Sequence, residues 1–110
     1  MIGNQLPNLS TDDEIVTHET VGKSDSSGSL ESVLAWKPVF PNTLVVNTGR
    51  AILCDDGHGL LATTPSSLVM GEIDYARGAI KLAGCSPDYI ILASYRYDSL
   101  AAPYIRYDIL

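Results

Sequence analysis

"GEIDYARGAIKL", residues 71–82, is the stretch whose reading decides the fold. Apolar residues alternate at Ile73 and Tyr75, and again at Ile80 and Leu82, with Ala76-Arg77-Gly78 between the two pairs. A period of two puts such side chains on one face of a strand. Gly78 can take positive φ at little cost, so the stretch reads as a β-hairpin. Glu72 and Asp74 fall on the opposite, polar face, as in any half-buried strand.

The same texture extends both ways. Upstream, two prolines in "PVFPNTLVVNT" exclude a central strand at its start, and a β-branched run follows over residues 43–48. Asn47-Thr48-Gly49 is a turn signal, "RAILCD" (50–55) a strand, Asp56-Gly57 a hairpin dipeptide and "HGLLATT" (58–64) its return strand. Pro65-Ser66-Ser67 breaks the chain before the hairpin, and Ser86-Pro87-Asp88 turns it afterwards. "YIILASYRYD" (89–98) is the longest strand, with Tyr89, Ile91, Ala93, Tyr95 and Tyr97 on one face and Ile90, Leu92, Ser94 and Arg96 on the other. About six short strands with no long helical period predict an all-β fold, a small antiparallel sandwich or barrel over residues 38–110. The last residues repeat a motif: Arg96-Tyr97-Asp98 returns as Arg106-Tyr107-Asp108, beyond a break at Pro103. This predicts a final extended segment, apolar enough to dock.

Residues 1–37 read differently. No strand or helix period is visible over residues 1–32, and "GKSDSSGS" (22–29) is rich in Gly and Ser. Such a segment buries too little to offset its ordering entropy, so it is expected to be an interaction arm or linker. "SLESVLAW" (29–36) could form one or two helical turns capped by Ser29.

At 110 residues the chain has the length of one domain. Its 45% hydrophobic content is that of a globular protein, and no apolar run approaches the roughly 20 residues that span a bilayer. The N-terminus lacks the basic and apolar regions of a secretory signal. The net charge of −6 is concentrated in residues 1–32, which carry −5. Neither part supplies the basic face that phosphate binding requires, so direct nucleic-acid binding is not expected. Cys54 and Cys85 are too few to define a disulfide framework and are read as free thiols.

Chemistry has few footholds. Asp55-Asp56-Gly57-His58-Gly59 could hold a cation, but the alternating oxygen ligands and distal Glu of a calcium loop are missing, and the residues suit a turn. There is no G-x-S-x-G elbow, and His18 and His58 are the only histidines. With no convergent constellation, no catalytic activity, cofactor, metal or small-molecule substrate is expected. Tyr75, Tyr89, Tyr95, Tyr97, Tyr104 and Tyr107 all lie in the last third of the chain. Tyrosine is favoured at interfaces and can also stack on sugars, so Tyr95, Tyr97, Tyr104 and Tyr107 are candidate contact residues, beside the acidic Asp12, Asp13 and Glu14 of the arm.

The order of these motifs resembles a β-domain found in virion structural proteins of tailed bacteriophages. The likeness rests on Pro41-Asn42-Thr43, the Asp-Asp-Gly-His-Gly-Leu run from Asp55 to Leu60, the hairpin from Gly71 to Leu82, and Ser94 to Tyr97 in the closing strand. It covers residues 40–98 and departs from the usual pattern at Asn42, where glycine is more common. The resemblance implies a non-enzymatic assembly subunit, in the tail or baseplate or else in the capsid or neck. Its implied partners are other virion proteins in several symmetric copies, with no membrane and no nucleic acid. A carbohydrate-binding module is the alternative of a different class.

Overall fold

The computed structural model describes residues 14–64 and 66–100. Eight strands make one sheet: β1 (Ile15–Lys23), β2 (Leu30–Val33), β3 (Val45–Asn47), β4 (Ile52–Asp55), β5 (Leu60–Thr63), β6 (Val69–Asp74), β7 (Ala79–Leu82) and β8 (Ile90–Arg96). Their order is β1-β8-β3-β4-β5-β6-β7-β2, and every neighbouring pair is antiparallel. The two outermost strands approach each other, so the sheet is nearly closed into a barrel. At the seam the Ser32 hydroxyl donates to the Val21 carbonyl at 2.8 Å, and the Ala35 N–H donates to Glu19 Oε2 at 2.8 Å. The all-β expectation holds, and among the described residues there is no helix.

The hairpin of residues 71–82 forms as its alternation requires. Ile73 pairs with Ile80 and Gly71 with Leu82, and these three apolar side chains are buried. Gly78 closes the turn at φ 70°. Asp74 organises it, its Oδ1 accepting from the Ala76 and Arg77 N–H groups at 3.1 and 3.3 Å. Ile91, Ala93 and Tyr95 of β8, and Tyr97 just after it, are buried in the core, which is completed by Leu34, Leu44, Val46, Leu53 and Leu61.

The arm is where the structure departs from expectation. Residues 15–23 and 30–33 are strands β1 and β2, so the sheet has eight strands rather than about six. The expected helical turns after Ser29 are replaced by a strand paired with β7. Only residues 1–13 of the expected arm, with Asp12 and Asp13, lie outside the described residues.

The reason β1 is hard to read is local. Its register against β8 shifts twice, between Val16 and Glu19 and between Thr20 and Gly22, with His18 at φ 55° in the first irregularity. Each extra residue flips the phase of the inward positions, so a true strand shows no period of two.

The Gly/Ser-rich stretch is a pinned turn. Asp25 Oδ1 accepts from the Ser27 N–H, the Ser27 hydroxyl and the Ser29 N–H. Gly28, at φ 84°, packs against residue 85 so closely that a Cβ would stand 2.3 Å from the Cys85 carbonyl oxygen. The Cys85 N–H returns a bond to the Gly28 carbonyl at 2.9 Å. Cys85 is buried, Cys54 half-buried, and both are free thiols.

Candidate functional site

The chemical-looking residues converge at the end of the barrel that carries the β4–β5 and β6–β7 turns. Asp55, the last residue of β4, is buried there. Its Oδ1 accepts from the Asn42 N–H, the Gly57 N–H and the Tyr75 hydroxyl, each at 2.8 Å. Its Oδ2 accepts from the Leu44 N–H at 2.8 Å. Tyr75 in turn accepts from the Gly59 N–H at 3.0 Å. Burial and the adjacent Asp55 carboxylate hold the Tyr75 hydroxyl above its ordinary pKa.

Thus Asp55, Gly57, Gly59 and Tyr75, from two separate sequence motifs, belong to one hydrogen-bonded network. Gly57 is required by its φ of 82° and by Asn42, whose side-chain nitrogen would lie 2.5 Å from a Cβ there. Four donors engage the Asp55 carboxylate, three on Oδ1 and one on Oδ2, so it anchors the network that closes this end of the barrel. Among the described residues no cluster of three His, Cys, Asp or Glu side chains could hold a metal.

Asp56 shapes the turn alongside it. Its Oδ1 accepts from the His58 and Leu60 N–H groups at 2.7 and 3.1 Å. Bonds from the Leu60 and His58 backbone hold Asp56 below the usual carboxylate pKa, and those from Ser29 and Ser27 do the same for Asp25. A carboxyl whose pKa is depressed by folding stabilises the native state above its unfolded value and loses that contribution as pH falls through the folded value. The urea midpoint is therefore expected to hold down to about pH 5 and to fall below about pH 4. In the D25N/D56N double variant that acid-side fall is shallower, which an unfolding series across pH measures directly.

At the seam, the Tyr95 hydroxyl donates to Glu19 Oε1 and accepts from the Trp36 N–H at 3.1 Å. Burial and the Glu19 partner raise the Tyr95 pKa strongly. Tyr97 stacks on Trp36 with ring centroids 5.1 Å apart. Tyr95 and Tyr97 are only 3% and 6% exposed, so they brace the barrel instead of presenting a face to a partner or sugar. Glu14 accepts from Arg96 at 3.1 Å and from the Ser99 hydroxyl at 3.3 Å. Tyr104 and Tyr107 lie outside the described residues.

One outward face of the sheet, over β3 to β6, carries apolar side chains. Val45 pairs with Cys54, Cys54 with Ala62 and Ala62 with Val69, which makes a cross-strand row over β3 to β6. Val45, Ile52, Leu60, Leu68 and Val69 are all exposed, from 40% to 61%. The signal for this was present: "TLVV", "AILC" and "GLLA" carry apolar residues at consecutive positions, which makes a strand apolar on both faces. Strands of that kind are usually covered on both sides.

Beside this row, a groove of about 400 Å³ crosses β5, β6, β7 and β2. Leu60, Val69 and Met70 line it, together with the charged Glu72, Lys81 and Glu31. These three lie in one cross-strand row, Glu72 opposite Lys81 and Lys81 opposite Glu31. Comparison with protein-family models, curated proteins and solved structures finds no match to this chain.

Proposed function

We propose that this chain is a non-enzymatic structural subunit of a tailed-phage virion, most readily placed in the tail or baseplate. The observation that carries the assembly reading is the exposed apolar row over β3 to β6. Monomeric proteins rarely expose contiguous apolar patches larger than about a few hundred Å², and patches of that kind mark protein interfaces. The residues with chemical potential support the same reading, since Asp55, Tyr75, Glu19 and Tyr95 are spent on holding the barrel together. The virion assignment rests on the motif order from Pro41 to Tyr97, which resembles virion β-domains. Neighbouring subunits would cover the apolar row, and repetition around a symmetry axis would multiply a modest contact.

The test has two arms. Imaging of particles carrying a label on this chain is expected to place it at the tail or baseplate; a label on the head moves it to a decoration or neck role, and no label on particles removes the virion reading. Ile52→Glu puts a charge on the same exposed apolar face, beside that row, at an expected stability cost of up to about 1 kcal/mol from the lost β-branched side chain. Its expected effect is a folded chain that is no longer incorporated.

A further inference from the structure

Three exposed apolar side chains border the open seam between β1 and β2. Ile15 on β1, Val33 at the end of β2 and Trp36 just beyond it are 51%, 54% and 51% exposed. Bonds around the seam fix their setting. The Ala35 N–H reaches Glu19 across it, and the Trp36 ring lies on Tyr97, whose N–H donates to the Glu14 carbonyl beside Ile15. Among the described residues no ladder pairs β1 with β2, so each strand also turns a backbone edge toward this line. Folded proteins commonly cover such edges with a helix or a loop. Apolar side chains that border an edge gain from the same cover.

The chain leaves the barrel at this very place. The Asp98 N–H donates at 2.9 Å to the carbonyl of Pro38, two residues beyond Trp36. The Ser99 hydroxyl donates at 3.3 Å to Glu14 Oε2, next to Ile15. Leu100 follows, 63% exposed. The sequence beyond it, "AAPYIRYDIL" (101–110), is apolar or aromatic except for Arg106 and Asp108, whose charges cancel. We propose that residues 101–110 cover the seam of their own barrel, over Trp36, Ile15 and Val33.

Reach and tethering select the same chain as the occupant. Val33 follows Ser32, which bonds Val21 across the seam, and the strand from Glu14 to Val21 rises about 23 Å. Residues 101–110 extend to about 33 Å, so a segment starting beside Glu14 passes Trp36 and reaches Val33 with length to spare. Anchored at the rim of the patch, it has a local concentration of about millimolar order, far above that of a second copy in dilute solution. With no net charge, it is not repelled by the acidic barrel. The seam lies on the opposite side of the barrel from β4 and β5, so the apolar row stays open and the inference does not rest on the assembly reading.

Trp36 is the sole tryptophan, so acrylamide quenching of its fluorescence reads the cover directly. Truncation after Leu100 keeps all eight strands and leaves half of the indole open. It is expected to raise the quenching constant about twofold over the full chain and to shift the emission to the red, by the same amount at every protein concentration. The full-length double variant Ile105→Asp, Ile109→Asp is expected to give the same change without shortening the chain. Three results would overturn the proposal: equal quenching of the full and truncated chains, a double variant that quenches like the unaltered chain, or a shielding that appears only as concentration rises, which would make the cover a second copy.

Discussion

Asp55→Ala is expected to cost about 4 kcal/mol, the largest loss from any single side chain in this barrel. The substitution strands the Asn42, Leu44 and Gly57 N–H groups and the Tyr75 hydroxyl at once. Bonds to a charged acceptor contribute roughly 1.5–3 kcal/mol each, and their loss is not additive because the turn relaxes. Asp55→Asn keeps the shape but turns an acceptor oxygen into a donor facing donors, so it should cost about 2–3 kcal/mol. Tyr75→Phe removes one spoke of the same network and should cost about 1–2 kcal/mol. Urea unfolding of the three variants checks the order. For a domain of this size 4 kcal/mol corresponds to a drop in Tm of roughly 15–30 °C. Equal effects for Asp55→Asn and a surface substitution would show that the network is not the keystone of this end.

The second large effect concerns the chain's first strand. A chain beginning at Ser24 lacks β1, and with it the partner of β8 and the buried Val21. The backbone of the central strand β8 would be left as an edge, and the inward Ile91, Ala93 and Tyr95 would lose cover along the seam. The expected loss exceeds about 5 kcal/mol, comparable with the whole stability of a small domain. Such a chain should show no cooperative unfolding transition by near-ultraviolet circular dichroism. A chain beginning at Glu14 contains all eight strands and should unfold cooperatively. Cooperative unfolding of both would return residues 15–23 to the status of an accessory arm.

These two expectations mark the boundary of what could be read in advance. Strands β3 to β8 are legible because local punctuation marks them: Gly78, Gly57 and Gly49 sit at positive φ in the turns that sequence places there. The alternation of β8 named its buried face correctly from Ile91 to Tyr97. β1 was illegible because two register shifts break its period. Residues 29–36 suit one or two helical turns by residue type, because so short a pattern does not distinguish helix from strand, and pairing with β7 makes residues 30–33 the strand β2. Residue type alone leaves the tyrosines ambiguous between core and contact, and the burial of Tyr95 and Tyr97 beside Ile91 and Ala93 makes them core, while Tyr89, on the same alternation, is 40% exposed.

The candidate site divides along the same line. That Asp55 to Gly59 is a turn follows from residue types alone, since Asp and Gly have the side-chain and backbone preferences a turn needs. That Asp55 reaches Tyr75, 20 residues away, and that both stabilise one end of the barrel, depends on β4, β5 and β6 lying side by side.

By itself, then, the sequence determined an all-β chain, its turns and the inward face of its longest strand, because period and turn chemistry act over a few neighbouring residues. The tertiary structure decided that residues 15–33 join the sheet, that eight strands nearly close, and that an apolar row and the Glu31–Lys81–Glu72 groove face outward. Those outcomes depend on pairing between strands distant in sequence, where a bulge or a shared wall outweighs local pattern.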